Sequence, residues 1–158
     1  MEPTRPMQIS LEPERQRALA AELFNHAWTL METADRTQRQ TDLMIAAAYA
    51  SRLFWEENGE PLHLARGEWQ ISRACAIGGR PAAALEHARR CLELCEAHQL
   101  SPFDFGYAHE ALARAHQTSG DAAGAAQHAR AARAIAPRIE DREDRDLLTG
   151  DLDELGLG

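Results

Sequence analysis

Histidine and cysteine are the side chains that would bring metal or nucleophilic chemistry to this sequence, and three of them fall at four-residue intervals. His87, Cys91 and Cys95 share one helical face, with His98 about one turn further on. Two ligands one turn apart can share a zinc ion. A third cannot join them: at about 1.5 Å rise per residue the first and last lie roughly 12 Å apart, and zinc bonds are only about 2.0–2.3 Å long. Free cysteine also behaves as a small hydrophobe, so a structural role is expected for Cys91 and Cys95. His109-Glu110 begins like a zincin motif, but Ala113 stands where the second histidine belongs. Glu60-Pro61-Leu62-His63 has the spacing of a di-iron carboxylate motif, yet it occurs once and contains a helix-starting proline. No metal and no other cofactor is expected.

Catalysis finds little else to use. All 17 basic residues are arginine. A chain without lysine has no Schiff base, no phosphate-binding P-loop lysine and no Ser-Lys dyad. There is no G-x-S-x-G, no Gly-rich phosphate loop and no Cys-x-x-Cys. A non-catalytic protein is the expectation. The net charge of −8 is unevenly placed: residues 139–158 carry eight acids and two arginines, leaving the rest of the chain near neutral. A near-neutral body with an acidic end offers no basic footprint to a phosphate backbone, so nucleic acid is not an expected partner. The three cysteines lack the dense spacing of a secreted disulfide framework. The N-terminus has no apolar signal region, and no run approaches the 18 apolar residues of a membrane span. A reduced, cytoplasmic protein with no membrane partner is expected, and abundant Ala and Arg without Lys suit a GC-rich bacterial genome.

The elements that must position these residues read as helices throughout. With 158 residues and 30 alanines, the chain has enough length for one domain and a strong bias to helix. Residues 1–10 form a loose leader with Pro3 and Pro6. A first helix is expected over about Pro13–Thr33 and a second over about Asp42–Glu57, with the polar stretch Asp35–Thr41 between them. Pro61 and Pro81 sit at first helical positions, where the missing N–H costs nothing. Ser101-Pro102-Phe103-Asp104 combines an N-cap, a proline at N1 and an acid at N3. Asp121 caps a sixth helix that stops at Pro137. A seventh, over about Ile139–Leu155, is acidic outside with Leu147, Leu148, Leu152 and Leu155 inside.

An internal repeat organises the middle of the chain. Residues 71–95 laid on 112–136 match at eight of 25 positions without a gap, including Arg73 on Arg114, Gly79 on Gly120 and His87 on His128. Recurrence of the histidine at one repeat position argues for a scaffold role. The run Trp69…Ile71-Ser72…Cys75…Gly79…Ala84-Leu85…Ala88…Cys91-Leu92 resembles a tetratricopeptide repeat. So does Leu112-Ala113…His116…Gly120-Asp121…Ala125…Ala129…Ala132…Ile135…Pro137. The 41-residue spacing is similar to the longer-helix members of that family, with Glu68 and His109 departing from its apolar pattern. The first helix pair is a weaker copy.

The resemblance implies an all-α fold: a right-handed TPR-like superhelix of three helix pairs over residues 11–137, followed by an acidic C-terminal capping helix and tail over 138–158. It also implies that the first helix of each pair lines a concave groove. The groove-facing residues would be Phe24, Asn25 and Trp28, then Arg66, Trp69, Gln70, Arg73 and Ile77, then Tyr107, Glu110, Arg114 and Gln117. Trp, Tyr and Arg dominate binding hot spots, and three groove arginines would suit an acidic side chain or terminal carboxylate of a peptide. A structural role is open to the same residues: Glu110 lies four before Arg114, a good ion-pair spacing, and the tryptophans could pack between repeats. The functional expectation is an interaction module for a protein or peptide partner. The alternatives are a self-associating homodimer, possible through the Leu-rich last helix, and a metal- or small-ligand-binding sensor.

Overall fold

A computed structural model describes residues 9–157; most of the expected leader, residues 1–8, lies outside them. Among the described residues there are seven α-helices and no strand. They are α1 (Pro13–Glu32), α2 (Gln38–Asn58), α3 (Pro61–Ile77), α4 (Pro81–His98), α5 (Pro102–Thr118), α6 (Ala122–Ile135) and α7 (Arg142–Glu154), with a 3₁₀ turn over Ala136–Arg138 before the last.

Local chemistry places most of the boundaries. Proline occupies the start of α1, α3, α4 and α5, and the side chains of Ser101, Asp121 and Asp141 accept the exposed N–H groups of α5, α6 and α7. Helix α2 begins earlier than the expected Asp42. Thr37 and Gln40 form a reciprocal capping box, each side chain bonding the other's backbone N–H, and this draws the polar stretch into the helix. At the start of α3, the Glu60 N–H donates to His63 Nδ1 at 3.0 Å and the His63 N–H to Glu60 O at 2.9 Å. The apparent di-iron spacing is thus a helix cap.

Consecutive helices pack as neighbours, α1 on α2, α3 on α4 and α5 on α6, while α3 also touches α1 and α5. Small residues allow the close approach: Ala20, Ala27, Ala48, Ala74, Ala84, Ala113 and Ala125 are fully buried. Where a hydroxyl replaces a methyl it bonds the facing backbone, Ser72 to Ala84 O at 2.8 Å and Ser51 to Ala20 O at 2.7 Å. The two sequence repeats turn alike. Gly79 and Gly120 both adopt positive φ, 74° and 84°, where an L side chain would be strained. The next residues, Arg80 and Asp121, bond back to Cys75 O and His116 O, each at 2.8 Å.

The repeat also pairs side chains across each hairpin. Glu68 meets His87 at 2.6 Å, and the equivalent His109 meets His128 at 3.1 Å. Helix α7 lies against α5, with Leu148 and Leu152 fully buried and Leu155 nearly so. Leu147 corrects the expectation that four leucines face inward. It is 54 % exposed, because the helix turns it one position off the buried 148/152 stripe.

Candidate functional site

Helices α1, α3, α5 and α7 line a half-open cavity of about 270 Å³. Phe24 and Trp28 come from α1, Ala65, Arg66 and Trp69 from α3, and Phe103, Asp104 and Tyr107 from α5; Leu147 and Asp151 of α7 complete the rim, with Cys91 of α4 also in the wall. The aromatic rings hold one another. Trp28 and Trp69 lie 5.9 Å apart between centroids, Trp69 and Tyr107 meet edge to face at 5.5 Å, and Phe103 packs on Tyr107 at 5.0 Å. Such pairs add about 0.5–1.5 kcal/mol beyond burial, so the wall is built before any ligand arrives.

Charges around the cavity are neutralised in pairs. The Arg66 Nε donates to Asp104 Oδ1 at 2.9 Å, and the Ser101 hydroxyl donates to Oδ2 at 2.8 Å. Asp104 therefore turns inward to α3 and does not reach back to the N-cap backbone as its capping position suggests. Arg73 lies over the faces of both Trp28 and Trp69, at 5.3 and 5.7 Å. Its NH1 reaches Asp151 at 3.4 Å, and its buried Nε has no partner. Asp151 accepts a shorter bond, 2.7 Å, from the Tyr107 hydroxyl. Burial is the larger cause, and the bond to Asp151 the next, of a strong upward shift of the Tyr107 pKa. The phenol stays protonated and keeps donating.

Six of the groove candidates named from sequence border cavities: Phe24, Trp28, Arg66, Trp69 and Tyr107 the large one, and Asn25 a smaller neighbour. Arg73 stands behind the tryptophans. The others are engaged elsewhere. Gln70 is fully buried and donates to Phe24 O at 2.8 Å. Glu110 is fully buried between Trp69 Nε1 at 3.4 Å and Arg114, whose Nε and NH2 reach it at 2.9 and 2.7 Å. Gln70 and Glu110 present no surface to a ligand, and Arg114 adopts the intrahelical ion pair its spacing allows. Gln117 donates to Leu155 O at 2.7 Å, tying α5 to the end of α7. Ile77 packs into the α1–α4 core. Sequence reasoning missed Phe103 and Asp104, whose positions read as a helix cap, and Leu147, which read as core. Asp151 carried no signal at all, being 78 residues from the arginine it meets.

Other titratable groups are held by their neighbours. The Cys91 thiol is pushed well up, first by its hydrogen bond with Cys95 and then by burial, which disfavours the thiolate a nucleophile needs. Tyr49, His87, Glu68 and Arg52 form a chain across α2, α3 and α4, with contacts of 2.8, 2.6 and 3.3 Å. Burial, aided by Cys75, pushes Tyr49 up to about 12. Among the described residues no group of three or more His, Cys, Asp or Glu is gathered closely enough for a metal ion, and no helix is long and apolar enough to cross a membrane. Comparison with family models, with curated proteins and with solved structures returns no match, which leaves the reading of the site to its own geometry.

Proposed function

We propose that the chain is a TPR-like, non-catalytic interaction module that receives a partner protein's segment on the face formed by α1, α3 and α5. The observation that carries this reading is the preformed aromatic cavity shared by those three helices, whose bordering carboxylates and arginines are already paired. Such a cavity supplies what a binding anchor needs, large rigid apolar area with few unpaired charges, and it places no activated nucleophile or base toward a substrate. The repeat-equivalent glycines, capping bonds and cross-hairpin pairs support TPR-like geometry for α3–α4 and α5–α6, with α1–α2 as a divergent third pair and α7 as the cap. Three free, buried cysteines fit a reducing compartment such as the cytoplasm.

A photo-crosslinking amino acid in place of Leu147, at the cavity rim, tests the reading in cells of the source organism. A discrete protein captured there, and not from the same probe at exposed Arg130 on α6, is the expected result. Identical captures from both positions, or none, would refute it. A concentration-dependent dimer crosslinked to itself through Leu147 would give the face to a second copy.

A further inference from the structure

Two cavities meet at one arginine. Beside the large cavity lies a smaller one of about 160 Å³, bordered by α1, by Trp55 of α2 and by His63 of α3, and the two share Phe24 and Arg66 as a common wall. Trp55 and His63 stack at 4.1 Å with nearly parallel rings, so this wall is preformed too. Both cavities are smaller than or near the lower end of the roughly 300–1,000 Å³ of small-molecule sites, a size that suits single side chains.

Among the described residues, Arg66 is the cation of this wall whose spare donors reach solvent. Its Nε is committed to Asp104, and its guanidinium lies 5.5 Å from the centre of the Phe103 ring. Its two terminal amino groups have no hydrogen-bond partner among the described residues, and the side chain is 46 % exposed. Arg73, by contrast, is covered by two tryptophans and Asp151. An incoming anion therefore meets Arg66, and Asp104 does not repel it strongly, since that carboxylate is already paired by Arg66 and Ser101.

The chain itself shows what kind of element this surface holds. Helix α7 is acidic and amphipathic; it buries Leu148 and Leu152, one turn apart, and sets Asp151 on Tyr107 and Arg73. Leu147 of the same helix forms part of the large cavity's rim, so the cavities continue the surface on which α7 is seated. Side chains four apart on a helix stand about 5–6 Å from one another, a separation suited to two adjoining cavities.

We propose that this face binds an acidic amphipathic helix of a partner protein, lying beside α7. It puts a large apolar side chain in the first cavity and a smaller one, a turn away, in the second, with a carboxylate between them on Arg66. The inference rests on the interaction-module reading and specifies its ligand.

Selection from a displayed library of 16-residue peptides, randomised on an alanine-rich helical frame, tests it with the full-length chain as target. Wild type is expected to enrich two apolar residues at i and i+4 with Asp or Glu beside them. Arg66→Gln is expected to lose the acidic preference and to bind the best wild-type peptide about tenfold more weakly, whereas Arg66→Lys keeps the preference. Ala21→Phe, at an exposed position bordering the small cavity, is expected to erase selection for the second apolar residue. Circular dichroism confirms that each variant is folded. Enriched peptides without an acidic preference, or with one that Arg66→Gln leaves intact, would overturn this inference while leaving the module reading standing. An absence of enriched peptides overturns it as well, and together with no protein captured through Leu147 it defeats both. A dimer abolished by Ala21→Phe would assign the face to a second copy and also overturn the proposal.

Discussion

Glu68 and His109 occupy equivalent positions in the two 41-residue repeats, and the histidine facing each one finds a different chemistry. His87 is buried against the Glu68 carboxylate, with the Tyr49 hydroxyl on its other nitrogen. Removing the histidine takes the shorter of two bonds from a buried carboxylate and leaves it only Arg52 Nε at 3.3 Å, so His87→Ala should cost about 1–3 kcal/mol. The double change Glu68→Leu/His87→Leu, which leaves neither partner unmatched, should cost less; urea denaturation of wild type and the two variants measures the difference. His128 instead faces a second histidine, with His116 stacked on its other side and bonded to Asp121. Burial is the main cause holding both His109 and His128 below the ordinary histidine range. Glu96 opposes the shift at His109, and the two neighbouring histidines add to it at His128. The folded state therefore binds fewer protons than the unfolded chain, so the stabilisation is complete above about pH 6.5 and is lost as pH falls through the lowered folded values. The melting temperature should fall between pH 7 and 5, and His128→Gln should flatten that fall. A slope unchanged by the substitution would contradict the assignment. The recurrence of His87 and His128 was visible in the sequence, but that one faces a carboxylate and the other an imidazole follows only when position 68 is laid beside 87 and 109 beside 128.

At the scale of elements, α7 depends on one small residue. A Cβ built on Gly106 would lie 2.6 Å from Leu148 Cδ2, so the fully buried Leu148 would have to change rotamer or move α7. Gly106→Ala should lower stability by about 1–3 kcal/mol, the usual cost of overpacking. It should also raise hydrogen exchange in α7 more than in α1–α4. Leu152→Ala, which opens a void in the same layer, should cost about 2–5 kcal/mol. Equal loosening of every helix would show that α7 is no separate unit. Helix identities and most starts were legible because prolines and capping side chains act within one turn of their own position. The start of α2 was not anticipated, since Thr37 and Gln40 sit in a polar stretch whose composition reads as loop and whose reciprocal bonds read as helix. Leu147 was misassigned for a related reason. Adjacent leucines point about 100° apart, and only the seating of α7 on α5 decides which one is buried.

For the whole molecule, the cavity is a product of several helices meeting. Trp28→Ala removes one of the two aromatic faces beneath Arg73 and one wall of the cavity, and it should reduce capture through Leu147 while leaving the helical circular dichroism signal intact. A chelator should leave the melting temperature unchanged, because no gathered ligand set among the described residues would lose an ion. A chelator-sensitive transition would revive the sensor alternative.

The sequence by itself determined an all-helical chain, the count and order of its helices and a 41-residue repeat, because helix periodicity, proline, glycine and capping all act over a few residues. It also put forward Phe24, Trp28, Arg66, Trp69 and Tyr107 on family resemblance, and these prove to border one cavity. Tertiary structure alone decided that Gln70 and Glu110 are buried and that Asp151 closes the site onto Arg73. Those outcomes depend on which polar groups can be satisfied once distant helices exclude water. That condition couples residues many tens of positions apart, and no local spacing encodes it.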